Sequence, residues 1–159
     1  MKIICIGRNY KAHAKELDNA LPKEPLFFLK PDTACLAKRI PFYIPDFSDD
    51  VHHEIELVVK INRVGKNIEE KFAQKYYSEV SLGIDFTARD LQKECKENGL
   101  PWEKAKAFDG SAPSGKFVDK NSFDLNNLGF ELYKNNEKVQ SGNTKDMIFQ
   151  LDEIIAYVS

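Results

Sequence analysis

This chain lacks an excess of either charge. Its 23 Lys and Arg stand against 25 Asp and Glu, a formal charge of -2, so a nucleic-acid or acidic-membrane partner has no electrostatic footprint here. It lacks a long apolar run, so no stretch reads as a membrane span. The opening MKIICIGRNY has neither the long apolar core nor the small-residue cleavage site of a signal peptide. Cysteine is scarce: Cys5, Cys35 and Cys95 are odd in number, widely spaced and form no CxxC pair. That speaks against a zinc knuckle and a disulfide framework, and for reduced thiols in the cytoplasm. Internal repeats and low-complexity segments are also missing.

What is present suffices for one domain of 159 residues. With 42% hydrophobic residues, including 11 Phe and 6 Tyr, the chain can build a real core. Residues 2–6 form a β-branched run that ends at Gly7 and predicts a first strand. A helix is expected from about Tyr10 to Leu17. Prolines at Pro22, Pro25 and Pro31 make residues 21–34 extended or looping. Residues 41–50 are turn-rich and lead into a strand at 52–61. Ile68, Phe72, Ala73 and Tyr76 fall at helical spacing in the stretch ending at Val80. Residues 81–99 read as a strand running into a helix. There Thr87 and Asp90 resemble a capping box, and Gly99 and Pro101 close the helix. Residues 107–122 read as loop, and 128–142 as a hairpin turning at Asn135-Asn136. Met147, Phe149, Leu151, Ile154, Ile155 and Val158 give a broad apolar face to a last helix, which has no evident cap.

The strand HHEIELVVKI raises a chemical question. Residues two apart on a strand point the same way, about 7 Å apart at the backbone. Glu54 and Glu56 therefore project together, with His52 in line. Two carboxylates that close repel unless something positive lies between them. A hard divalent cation such as Mg²⁺ answers this; from spacing alone, a solvated glutamate face on a half-exposed strand is the plainer answer. Asp85, at the end of a strand-like run before a helix, is a candidate third oxygen ligand or an ordinary turn residue. Lys106, in PWEKAKAFDGSAPSG, could balance an anion or be one surface lysine among many. His13 and Glu16, at i and i+3, share a helix face, so the carboxylate could orient the histidine as a base.

The motifs GRNYKAHAKE, PLFFLKPDTA, HHEIELVVKI, GIDFTARDLQKECKENGLPWEKAKAFDGSAP and GNTKDMIFQLDEIIAYVS occur in this order along the whole chain. Together they resemble the fumarylacetoacetate hydrolase family, in particular its small single-domain branch of acylpyruvases and oxaloacetate-active enzymes. The resemblance implies an α+β, mainly β fold: a mixed β-roll with peripheral helices, usually dimeric. It implies Mg²⁺ or Mn²⁺ held by Glu54, Glu56 and Asp85, with Lys106 as the family lysine. It further implies His13 and Glu16 as the water-activating pair, and Arg8, Asn9, Arg89 and Gln92 near the substrate.

The expected activity is metal-dependent hydrolysis of an acylpyruvate-type 2-oxo acid, releasing pyruvate. Oxaloacetate decarboxylation and keto–enol tautomerisation use the same metal and enolate chemistry. A non-catalytic family member is the remaining alternative. Members of the family continue past the final helix with closing strands and a Gly-Thr-Pro loop. Residues 1–159 are therefore expected to be a single catalytic domain without that wall of the pocket.

Overall fold

The computed structural model describes residues 1–10, 21–37 and 39–159. Its architecture is mainly β with a few helices, as expected. Seven strands occur in the described residues: β1 (Ile3–Gly7), β2 (Leu26–Lys30), β3 (Val51–Ile61), β4 (Tyr77–Ala88), β5 (Val118–Asp119), β6 (Gly129–Lys134) and β7 (Glu137–Asn143). The helices are α1 (Arg89–Asn98), α2 (Glu103–Lys106) and α3 (Leu151–Val158). β1 pairs with β2, β4 lies between β3 and β5, and β6 pairs with β7. Among the described residues no helix is long and apolar enough to cross a membrane.

The chain forms two compact units. The first comprises Met1–Cys5, Phe28–Val58 and Leu82–Lys116. Its aromatic centre is Phe42, which stacks on Phe86 with centroids 3.7 Å apart and leans on Phe108 at 6.4 Å. Phe28 meets Trp102 at 5.8 Å. Strand and loop come close at Gly83, where an added Cβ would stand 2.8 Å from Val58 Cγ2 and 3.0 Å from the Pro113 carbonyl. α1 ends at Gly99, whose φ of 63° lets its N–H turn back to the Cys95 carbonyl.

The turn before β3 is tied to the start of α1. Ser48 Oγ donates to Asp90 Oδ1 at 2.6 Å, the Asp49 N–H donates to Asp90 Oδ2 at 3.1 Å, and the Arg89 N–H reaches the Asp50 carbonyl at 2.7 Å. The Ser48 hydroxyl above all, then the Leu91 and Asp49 N–H groups, hold the Asp90 carboxyl below its usual range. Thr87 and Asp90 therefore do not form a capping box. Ala88 is the N-cap and has no side-chain cap bond, because the Asp90 carboxylate is spent on the 48–50 turn and Thr87 faces the lysine described below.

The second unit comprises Ile6–Phe27, Val59–Ser81 and Phe117–Ser159. Its hairpin turns at Asn135-Asn136, both at positive φ (53° and 66°), which matches the twist of the flanking strands. The helix expected up to Val80 is only a 3₁₀ turn, Glu70–Lys75. Ala73 of the stripe is fully buried, but Phe72 stays 39% exposed, and Tyr77 and Val80 are buried in β4. The last helix begins at Leu151, not near Met147. Residues 147–149 are held outside the helix: Tyr10 bridges Met147, and Asn9 exchanges hydrogen bonds with the Phe149 backbone at 2.8 and 3.0 Å. At its end Ser159 Oγ donates to the Ala156 carbonyl at 3.0 Å and accepts from the Ile68 N–H at 2.8 Å. The helix expected at 10–17 lies outside the described residues, apart from Tyr10.

Candidate active site

β3 and β4 are neighbours, so Glu54 and Glu56 on one meet Asp85 and Thr87 on the other. α2 adds Lys106 from its last turn. Lys106 Nζ lies 2.7 Å from Asp85 Oδ2, 2.9 Å from Glu54 Oε2 and 2.5 Å from Thr87 Oγ1. Its side chain is 3% exposed, and its ammonium sits 5.3 Å from the centre of the Phe28 ring. A lysine this enclosed persists only when carboxylates surround it. Burial works against its charge, but Asp85 and Glu54 outweigh burial and hold its pKa above the ordinary lysine value. Arg89 pairs with the other oxygen of Glu54 and also donates to Gln92 Oε1 at 2.6 Å. Burial disfavours the Glu54 charge too; Lys106 and then Arg89 outweigh it and hold that carboxyl below its ordinary value.

Glu56 is the exception. It keeps some surface yet is crowded by protein, and among the described residues its side chain makes neither a hydrogen bond nor an ion pair. Burial first, then the charges of Asp85 and Glu54, push its pKa up to about 8, against partial relief from Lys106 and Lys30. The donor set is three carboxylates, all oxygen, the kind that hard Mg²⁺ or Mn²⁺ prefers. One member has no cation of its own. These residues fit a divalent ion by their chemistry. As they lie, no three acidic, histidine or cysteine side chains among the described residues gather about one point, and Lys106 Nζ stands between Glu54 and Asp85.

The remaining expected residues fall as follows. Gln92 is buried on α1 beside Arg89. Arg8 adopts a left-handed backbone, φ 57°, and Asn9 is engaged with Phe149; both belong to the second unit. His13 and Glu16 lie outside the described residues. Three residues of this neighbourhood are not expected there from sequence: Ser111, Lys30 and Thr87, which by sequence resembles a helix cap. Lys30 Nζ lies 2.7 Å from Asp85 Oδ1 and donates to Ser111 O and Oγ at 2.9 and 3.1 Å. A signal existed for it. Leu26, Phe28 and Lys30 occupy alternate positions on the less exposed face of β2, and a lysine on an inward register needs an anion.

Comparison with known proteins gives one consistent answer. Residues 2–159 match the family model described as fumarylacetoacetate (FAA) hydrolase, C-terminal. The chain is 43% identical over 158 residues to the oxaloacetate tautomerase FAHD1, mitochondrial, of Bos taurus, covering 99% of this chain and 72% of that protein. The crystal structure of a fumarylacetoacetate hydrolase family protein from Yersinia pestis superimposes with a TM-score of 0.95 at 42% identity, over 99% of this chain and 73% of that one. Fumarylpyruvate hydrolase from Pseudomonas aeruginosa, solved with Mn²⁺ and pyruvate, superimposes with a TM-score of 0.93 at 33% identity, over 100% and 71%.

Proposed function

Since the chain belongs to the fumarylacetoacetate hydrolase family, we propose that it is an oxaloacetate tautomerase, interconverting the enol and keto forms of that small 2-oxo acid. The observation that carries this reading is the 43% identity to an oxaloacetate tautomerase over 99% of the chain, against 33% for the fumarylpyruvate hydrolase. Hydrolysis of an acylpyruvate becomes the second reading, favoured by the Mn²⁺ and pyruvate of that hydrolase structure.

The chemistry suits the site. Held by Glu54, Glu56 and Asp85, a divalent ion (Mg²⁺ or Mn²⁺) would supply Lewis acidity toward the oxygens of a 2-oxo acid. Arg89, steadied by Gln92, would offer donors to a substrate carboxylate. Lys106 Nζ, kept charged by its neighbours, would stabilise negative charge developing on the enolate oxygen. Tautomerisation removes a proton from the 2-hydroxyl and delivers one to C3, with no change in composition. His13, with Glu16 as the partner carboxylate that the resemblance implies, is the proposed carrier of that proton. A homodimer in a reducing compartment, the cytoplasm, completes the proposal; three free thiols suit that setting.

The test is to follow the ultraviolet absorbance of enol-oxaloacetate with protein and Mg²⁺, and pyruvate release from oxaloacetate and acetylpyruvate in parallel. Enol decay well above the buffer rate, with slower pyruvate release, supports tautomerisation. Pyruvate release from acetylpyruvate with enol decay at the buffer rate would replace it with hydrolysis.

A further inference from the structure

We propose that Lys30 is a positioning residue of this site, fixing the orientation in which Asp85 faces a bound divalent ion. The inference rests on the metal-dependent reading above.

Lys30 is as buried as Lys106: its side chain is 1% exposed, and Asp85 beside it 9%. A buried ammonium has three donors to place. Those of Lys30 go to the Ser111 carbonyl at 2.9 Å, Ser111 Oγ at 3.1 Å and, more weakly, the Phe86 carbonyl at 3.4 Å. All three acceptors are neutral. Asp85 Oδ1 lies 2.7 Å away, close enough for strong attraction, yet out of line for a hydrogen bond. Lys30 therefore faces Oδ1 as an ion-pair partner, while its hydrogen bonds go to neutral acceptors.

The arrangement closes on itself. Asp85 Oδ2 accepts from Lys106 Nζ, the Lys106 carbonyl accepts from Ser111 Oγ at 2.9 Å, Ser111 Oγ accepts from Lys30 Nζ, and Lys30 faces Asp85 Oδ1. β2, β4, α2 and the loop through Ser111 thus fix one carboxylate from both sides. Packing alone would not require this, because an apolar side chain on β2 would fill the same space without burying a charge.

Two opposing effects make the test sharp. Lys30→Met removes a positive charge beside a site for a cation. Charge alone then predicts tighter metal binding. A positioning role predicts weaker binding, by about 10- to 100-fold, as for other partners that orient metal ligands.

The experiment is calorimetric titration of MnCl₂ into metal-stripped wild type, Lys30→Met and Ser111→Ala at one pH, with cooperative melting as the check on folding. Both variants are expected to melt cooperatively and to bind Mn²⁺ more weakly, Lys30→Met more than Ser111→Ala. A folded Lys30→Met that binds as tightly as wild type, or tighter, overturns the proposal. If Lys30→Met does not fold, Ser111→Ala decides: it keeps every charge, and an unchanged Kd overturns the proposal. A purely structural Lys30 would lower the melting temperature and leave the Kd of the folded protein unmoved. Wild type that binds no Mn²⁺ removes the metal reading itself, a different failure from wild-type binding that ignores Lys30.

Discussion

At the residue scale, the site is three carboxylates facing three cations, and the pairing is uneven. Lys106 and Arg89 share Glu54, Lys106 and Lys30 share Asp85, and Glu56 has none of them as a direct partner. Its raised pKa, about 8, has a consequence for stability. An unfolded glutamate releases its proton near pH 4.3, whereas folded metal-free protein holds it until about pH 8. The unfolded state therefore binds fewer protons in between, and stability falls as pH rises through that window. Glu56→Gln removes this loss. In chelator, the wild type should lose more melting temperature between pH 5 and pH 8 than Glu56→Gln, by on the order of a few °C. Parallel pH dependences would mean that Glu56 is solvated and not pressed by its neighbours.

The thiols allow a second check at this scale. Burial, then Asp85, pushes Cys5 up to about 12, so it stays protonated and unreactive at pH 8. Cys95 is buried at 2% exposure, while Cys35 is exposed. Native protein treated with iodoacetamide at pH 8 should carry a single label, on Cys35, by peptide mass spectrometry. Rapid labelling of Cys5 would show that β1 is open to solvent behind the acidic cluster.

At the element scale, position depends on how β3 and β4 are registered, and Asp90 sets that register from outside the sheet. It gathers the turn at 48–50 and the start of α1, so the beginning of β3 and the end of β4 are fastened together. Asp90→Ala should cost about 1–2 kcal/mol in urea unfolding, from the loss of several partly exposed hydrogen bonds. It should also raise the KM for the proposed substrate, oxaloacetate, because Glu54 and Arg89 sit within a few residues of the fastened ends. Wild-type stability and KM together would show that the register is set elsewhere.

This scale also separates what the sequence discloses from what it conceals. Period-two alternation in HHEIELVVKI, the Asn135-Asn136 turn and Gly99 are local signals, and each matches its element. Helical spacing at 68–76 misleads because β4 takes up the chain from Tyr77, leaving room only for the short 3₁₀ turn at Glu70–Lys75. Met147 and Phe149 lie on an apolar face by pattern, but Tyr10 bridges Met147, and Asn9, 140 residues away from Phe149, bonds the Phe149 backbone, so the helix starts only at Leu151. Thr87 has the look of a cap, and its hydroxyl goes to Lys106. Such long-range assignments leave no trace in local pattern.

At the scale of the whole molecule, the family and its mainly β fold are legible from the ordered motifs, and the 0.95 TM-score against the Yersinia pestis protein agrees with them. The reaction is less legible, because hydrolysis, decarboxylation and tautomerisation draw on the same cations and carboxylates. What each of them would need, on the proposed reading, is a divalent ion held between β3 and β4. Crystals of the metal-stripped protein soaked in MnCl₂ test this directly by anomalous diffraction. The expected result is one strong manganese peak with oxygens of Glu54, Glu56 and Asp85 about 2.2 Å away. A peak bound elsewhere, or none at saturating Mn²⁺, would contradict it and leave the acidic cluster as an internal salt-bridge network.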